Sequence, residues 1–311
     1  MRLNLQFHEF SIHVSPDREI ALLCRFMLRR CHMSKQMLAV SLVALFLGQI
    51  AMAGLDSLFY QPDARNYASP AQNGSAYESI PFSSADGTQL TGWFIPAKGQ
   101  ALGTVVHFHG NAQNMSAHYS FVSWLPESGF NLFTFDYRGY GQSKGTPSRK
   151  GVYEDSLAAL QYIKTRTDID QTKIILFGQS IGGANALVVA GKNRIDGIVG
   201  IAADSSFASY KSVAVEHAGL LKPLAFCLIG NKLSPQKHIA NIAPTPLLLI
   251  HGTQDRVASY KHAQSLLEKA GEPKQLWTIQ GGGHTSALGA CFKETAPRLH
   301  AQFVAWVREP T

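Results

Sequence analysis

Cysteine is scarce in this chain: four residues in 311 (Cys24, Cys31, Cys227 and Cys291), none in a CxxC pair or at Cys/His metal-ligand spacing. That excludes a zinc ribbon, a thioredoxin-type redox motif and a disulfide-dense scaffold. Cys227 and Cys291 remain as either one disulfide in an oxidising compartment or two buried thiols. No GxxxxGK[ST] loop occurs, so a Walker-type phosphate cradle is absent. Internal repeats and long low-complexity runs are also missing, which excludes solenoids and biased disordered chains. Charge is sparse, at 16% of residues, and the net +7 is spread along the chain, with +3 in residues 1–53 and +4 in the rest. With no dense Lys/Arg run beyond the N-terminus and no nucleic-acid motif, no nucleic-acid partner is expected. Nothing in the pattern calls for a metal or a cofactor.

What is present fits one large α/β domain of about 250 residues plus an extra segment. Residues 37–55 are uncharged, with only Ser41 and Gln49 polar; Arg25, Arg29, Arg30 and Lys35 precede them and Asp56 follows. This length is close to what a bilayer requires, and the flanking charge keeps the N-terminus inside and the domain outside. The reading is a membrane anchor, with residues 1–36 as a cytoplasmic extension. The competing reading is a cleaved signal, for which Ala51-Met52-Ala53 offers a small-residue site. Met33 opens MSKQ directly before the apolar run, and translation is expected to begin there. Residues 56–75 are polar and proline-bearing and read as a linker. Residues 76–311 then form the globular domain.

Two short strands at 77–82 and 90–95, around Asp86-Gly87, predict an antiparallel hairpin. Six further strand candidates follow, at 104–109, 131–135, 173–177, 197–202, 246–251 and 275–279. They are rich in Val, Ile, Leu and Phe, as strands covered on both faces are. Amphipathic stretches separate them: Val152, Leu157, Leu160 and Ile163 share one helical face, as do Ala296, Phe303, Val304 and Val307. The alternation predicts a mostly parallel sheet with helices on both faces. Residues 207–241 interrupt the rhythm and are expected to form a small lid.

The strand at 173–177 runs into Gly178-Gln179-Ser180-Ile181-Gly182, and a helix-compatible stretch follows. This is G-x-S-x-G between a strand and a helix, the context in which the serine is lifted above the sheet edge as a nucleophile. Ser180 therefore needs a base, and in this arrangement the acid and then the histidine come later in the chain. His284, in Gly281-Gly282-Gly283-His284 after the last strand, is the candidate base, presented by what reads as a flexible glycine loop. Asp255, after the strand at 246–251 and 29 residues before His284, is the candidate acid. Asp204 is its rival, with capping of the next helix as its other role. The strand at 104–109 ends in His107-Phe108-His109-Gly110-Asn111-Ala112. Backbone N–H groups of Asn111 (or Ala112) and Ile181 are the expected oxyanion donors. His109 reads as structural, and Asp136 and Arg138 as partners that fix the loop at 136–143.

These residues carry a family resemblance. The stretches GWFIPA, HFHGNAQNMSAH, FDYRGYGQSKGTPS, LFGQSIGGAN, DSSFASY and LLLIHGTQD resemble α/β-hydrolases of the bud-emergence type, especially the enterobacterial YfhR-like proteins. The resemblance implies the α/β-hydrolase fold, an N-terminal membrane segment and Ser180, Asp255 and His284 as the triad; it implies no defined substrate. The expected activity is hydrolysis of a carboxylic ester or thioester through an acyl-serine, with a small acyl compound as partner. A peptidase or amidase of the same fold, or a non-catalytic interaction protein on this scaffold, are the alternatives. Lid residues Phe207, Tyr210, Leu220, Leu221 and Phe226 are candidates for an apolar acyl site or for ordinary lid packing. Oligomeric state is left open.

Overall fold

Strands that must be dry on both faces set the architecture, here described from a computed structural model that covers Asp56 and residues 59–309. The eight strands of the main sheet are β1 (Glu78–Ser83), β2 (Gln89–Ile95), β3 (Gly103–Phe108), β4 (Phe130–Asp136), β5 (Ile174–Gln179), β6 (Ile198–Asp204), β7 (Leu247–Gly252) and β8 (Lys274–Ile279). Their order is β8-β7-β6-β5-β3-β4-β2-β1. β1 and β2 are antiparallel, as are β2 and β4; every other pairing is parallel. Every residue of β3, β4, β5 and β7 is buried, which explains why they read as continuous apolar runs.

Alternate residues feed two separate cores. Val106, Phe108, Leu176, Ile201 and Leu249 face one side, where α1 (Arg149–Thr165), α2 (Ile181–Lys192) and α5 (Lys261–Lys269) cover them. Val105, Ile175, Phe177, Ala202 and Leu248 face the other, under α6 (Phe292–Arg308). The chain steps from β3 to β4 on one side and returns to β5 on the other. That reversal opens a crevice at the carboxyl ends of β3 and β5, the usual ligand position in such sheets.

Three expectations are corrected or refined. Residues 59–75 are part of the domain and not a linker. Tyr60 is buried, Gln61–Pro62 pairs in parallel with Ala112–Gln113, and the Tyr67 N–H donates to Ser116 Oγ at 3.0 Å. Asp56 pairs with the Arg149 guanidinium. The stretch is polar because most of it lies exposed on the surface, while these bonds tie it to the domain. Cys227 and Cys291 are free thiols, one exposed and one half-buried, so they are neither paired nor both buried. In the lid, α3 (Tyr210–His217) and α4 (Lys222–Leu228) are helical, but Phe207 and Tyr210 belong to the core. Residues 37–55, Met33 and Ala51 to Ala53 lie outside the described residues; among those described, no helix is long and apolar enough to cross a membrane.

Candidate active site

β5 delivers Ser180 to the crevice on a strained turn. Its φ is 55° and ψ −120°, and α2 begins at the next residue. A side chain at Gly178 would come within 2.6 Å of Gly182 backbone, and one at Gly182 would fall on the Phe108 and His109 carbonyls. Both glycines are therefore set by close approach, which leaves the recurrent spacing in the sequence. The Ser180 N–H donates to the Asp204 carbonyl at 2.8 Å, tying the turn to β6.

The three residues singled out from the sequence meet. Ser180 Oγ is 2.9 Å from His284 Nε2, and His284 Nδ1 is 2.8 Å from Asp255 Oδ2. A carboxylate only accepts, so Nδ1 carries the proton and Nε2 is left to accept from the serine hydroxyl. The loop bearing His284 is held rather than flexible: Gln254 N–H donates to the Gly282 carbonyl at 2.9 Å, and Thr285 N–H donates to Ser205 Oγ at 2.8 Å.

Asp255 is saturated with donors. Its Oδ1 accepts from the Val257 and Ala258 N–H groups at 2.8 and 3.0 Å. Its Oδ2 faces both His284 and His251, the latter at 3.2 Å. His251 Nε2 also reaches the Ala258 carbonyl at 2.8 Å, so that nitrogen bears the proton. Burial alone raises the Asp255 carboxyl; the donors from His251 and His284 outweigh it and hold the group well below the usual carboxylate range. His251 was not singled out in the sequence. Only its place at the end of β7, four residues before Asp255, could have drawn attention to it.

Asp204 is not brought into hydrogen bonding with His284. Its Oδ1 accepts from Ser205 Oγ at 3.0 Å, and among the described residues its buried Oδ2 has no partner. Burial pushes this carboxyl up to about 6. It does not cap α3 either; Ser209 does, accepting from the Ser212 N–H.

The loop after β3 is fixed from two directions. Asn111 Oδ1 accepts from the Gln61 N–H at 3.0 Å and the Tyr140 hydroxyl at 3.1 Å. Among the described residues, no protein acceptor takes the N–H of Asn111 or Ile181. His109 is buried, with Nδ1 2.7 Å from the Gly110 carbonyl. Its Nε2 lies 3.3 Å from Asp136 Oδ1 without hydrogen-bond alignment. Asp136 and Arg138 fix their surroundings separately and not as a pair. Asp136 accepts from the Met115 N–H at 2.7 Å; Arg138 binds Asp155 and Asp86, each at 2.8 Å. Among the described residues, no cluster of His, Cys, Asp and Glu is placed to hold a metal ion.

The family model of the alpha/beta hydrolase fold matches residues 103–217. The uncharacterized protein YfhR of Escherichia coli K12 is 44% identical over 236 residues, covering 75% of this chain and 81% of that protein. The α/β-hydrolase domain-containing protein WAV2 of Arabidopsis thaliana is 35% identical over 217 residues, covering 65% of this chain and 69% of WAV2. Among solved structures, the Pyrococcus furiosus esterase Pf2001 superposes with a TM-score of 0.68 over 81% of this chain and 99% of its own, at 20% identity. That likeness concerns the fold.

Proposed function

The chain belongs to the α/β-hydrolase superfamily, among its YfhR-like members, and from that premise we propose that it is a serine hydrolase cleaving carboxylic esters or thioesters through an acyl-serine. The observation that carries the reading is the unbroken chain Ser180 Oγ–His284 Nε2 (2.9 Å) and His284 Nδ1–Asp255 Oδ2 (2.8 Å). Ser180 Oγ attacks the acyl carbon while His284 Nε2 takes its proton. Asp255 keeps the imidazole in the required tautomer and stabilises the imidazolium. Negative charge develops on the former carbonyl oxygen, against the Asn111 and Ile181 N–H groups and the N-terminus of α2. Collapse expels the alcohol or thiol, to which His284 returns the proton. Water, activated by the same nitrogen, then releases the carboxylic acid and regenerates Ser180.

A fluorophosphonate probe tests this. Wild type is expected to label and to hydrolyse p-nitrophenyl acetate faster than the matching anilide; Ser180→Ala is expected to do neither. Folded wild type that never labels would show a non-catalytic scaffold, and equal turnover of ester and anilide would reject the esterase assignment. The proposal includes location: residues 37–55 anchor the domain on the outer face of a membrane. The basic residues before that run and Asp56 after it support this. On the periplasmic side, the domain should be digested by protease added to spheroplasts, and protection until the inner membrane is lysed would overturn the orientation. N-terminal sequencing distinguishes an anchor from cleavage after Ala53.

A further inference from the structure

We propose that the cavity beneath α3 and α4 is the acyl-chain site, and that the substrate is an ester or thioester of a medium-to-long unbranched fatty acid. This rests on the serine-hydrolase reading. The cavity holds about 530 Å³, and its wall includes Phe59, Val213, Leu221, Leu224, Leu228 and Ile229. At about 30 Å³ per water-sized group, it has room for roughly 18 such groups, enough for an acyl chain of about a dozen carbons or more.

Its position sets it beside the chemistry. Two polar residues, Gln61 and His217, belong to its wall, and each is bonded to the loops that carry the candidate machinery, Gln61 through its backbone. The Gln61 N–H donates to Asn111 Oδ1 at 3.0 Å, on the expected oxyanion loop. His217 Nε2 is 2.7 Å from the Val257 carbonyl, and the Val257 N–H donates to Asp255 Oδ1 at 2.8 Å. The cavity thus lies between the loop of the oxyanion donors and the loop of the acid, on the lid side of both.

Its chemistry selects the ligand. Among the described residues, no carboxylate, lysine or arginine lines it, so a sugar, phosphate or ammonium group entering it would lose its hydration without replacement. A hydrocarbon chain loses nothing by entering. Leu221, Leu224 and Leu228 line the cavity and yet are 63%, 53% and 41% exposed, so they form its mouth. Phe226 extends this apolar rim outward, at 60% exposure, whereas Leu220 points away from the lining and is 99% exposed. A contiguous apolar rim around an apolar cavity is the feature an amphiphile crosses when it delivers its chain to the site.

The test is the chain-length profile of the full-length protein on p-nitrophenyl acetate, butyrate, octanoate, laurate and palmitate. Octanoate or laurate is expected to exceed acetate in kcat/KM by at least tenfold. Leu224→Trp and Leu221→Trp, which fill the mouth, are expected to lower the laurate-to-acetate ratio at least tenfold. Leu220→Trp, outside the cavity, should leave that ratio within twofold of wild type. A wild-type preference for acetate overturns the proposal. So does an unchanged ratio in both filling variants, or an equal fall in Leu220→Trp; either would fit a cavity occupied by another part of the chain. Acetate turnover with probe labelling but no response to chain length leaves the serine-hydrolase reading standing and removes only this one. Absence of labelling and of all ester turnover removes both.

Discussion

Ser180, His284 and Asp255 sit on turns bonded to one another, whereas α4, which walls the cavity, buries none of its seven residues. Around the serine, three non-glycine residues (Ser180, Ser205 and Thr285) hold positive φ angles of 55°, 55° and 51°. Such conformations persist only where the surroundings over-determine them. Here the surroundings are Asp204 backbone against the Ser180 N–H, the Ile250 carbonyl against the Ser205 N–H, and Ser205 Oγ against the Thr285 N–H. Among the described residues, α4 has no such cross-bracing; the lid is tied down on either side of it, where His217 of α3 meets the Val257 carbonyl and Arg149 donates to the Gly230 carbonyl, each at 2.7 Å. The difference suggests a division of labour. Reacting groups are held so that no reorganisation is needed when charge develops, while the surface that selects the acyl chain is left adaptable.

Changes among the turns should act on turnover of every ester alike, and changes in α4 on the choice among them. The largest effect is expected from Asp255→Asn. It removes the acceptor that fixes the His284 tautomer, and kcat should fall by about 10⁴-fold, equally for acetate and laurate; a loss confined to one chain length would break the distinction. His251→Phe comes next. It removes one of the two ring donors to Asp255 Oδ2, so the carboxylate holds the His284 ring less firmly and kcat should drop by less than about tenfold, equally for acetate and laurate. His251→Gln, which can still donate, should recover part of that loss; a purely structural His251 would lower thermal stability and leave kcat of the folded protein in place.

Asp204→Asn should do least to turnover and act mainly on stability. A carboxyl pushed up to about 6 binds its proton more tightly in the fold than in the unfolded chain. Stability therefore falls as pH rises from about 4 through 6, and the deficit persists at neutral pH, at roughly 3 kcal/mol or less. The amide removes that charge, so the gain in melting temperature over wild type should be larger at pH 8 than at pH 4.5. An equal gain at both would show that Asp204 carries no buried charge.

Much of the frame was legible because close packing leaves marks in composition. The strands carry unbroken Val, Ile, Leu and Phe because both faces are covered, and Gly178 and Gly182 recur at fixed spacing because no side chain fits there. Ser180, Asp255 and His284 followed from their places after β5, β7 and β8. His251 was not legible: its contact with Asp255 arises only when the loop turns back on β7, and one histidine among twelve shows nothing of that. Phe207 and Tyr210 were as apolar as the residues that line the cavity, and composition cannot separate a ring turned into the core from one turned toward a ligand. Residues 59–75 looked like a tether because the partners that fix them, Ala112–Gln113 and Ser116, lie far along the chain.

The short parallel pairing of Gln61–Pro62 with Ala112–Gln113 has a practical consequence for anyone who shortens this protein. Trimming to residue 76, where the sequence suggests the domain starts, would remove one of the two donors to Asn111 Oδ1 along with two walls of the cavity, Phe59 and Gln61. An inactive product would then report on a slackened loop beside Ser180 and not on the loss of a membrane. A version beginning at or before Asp56 keeps those supports and separates the two effects.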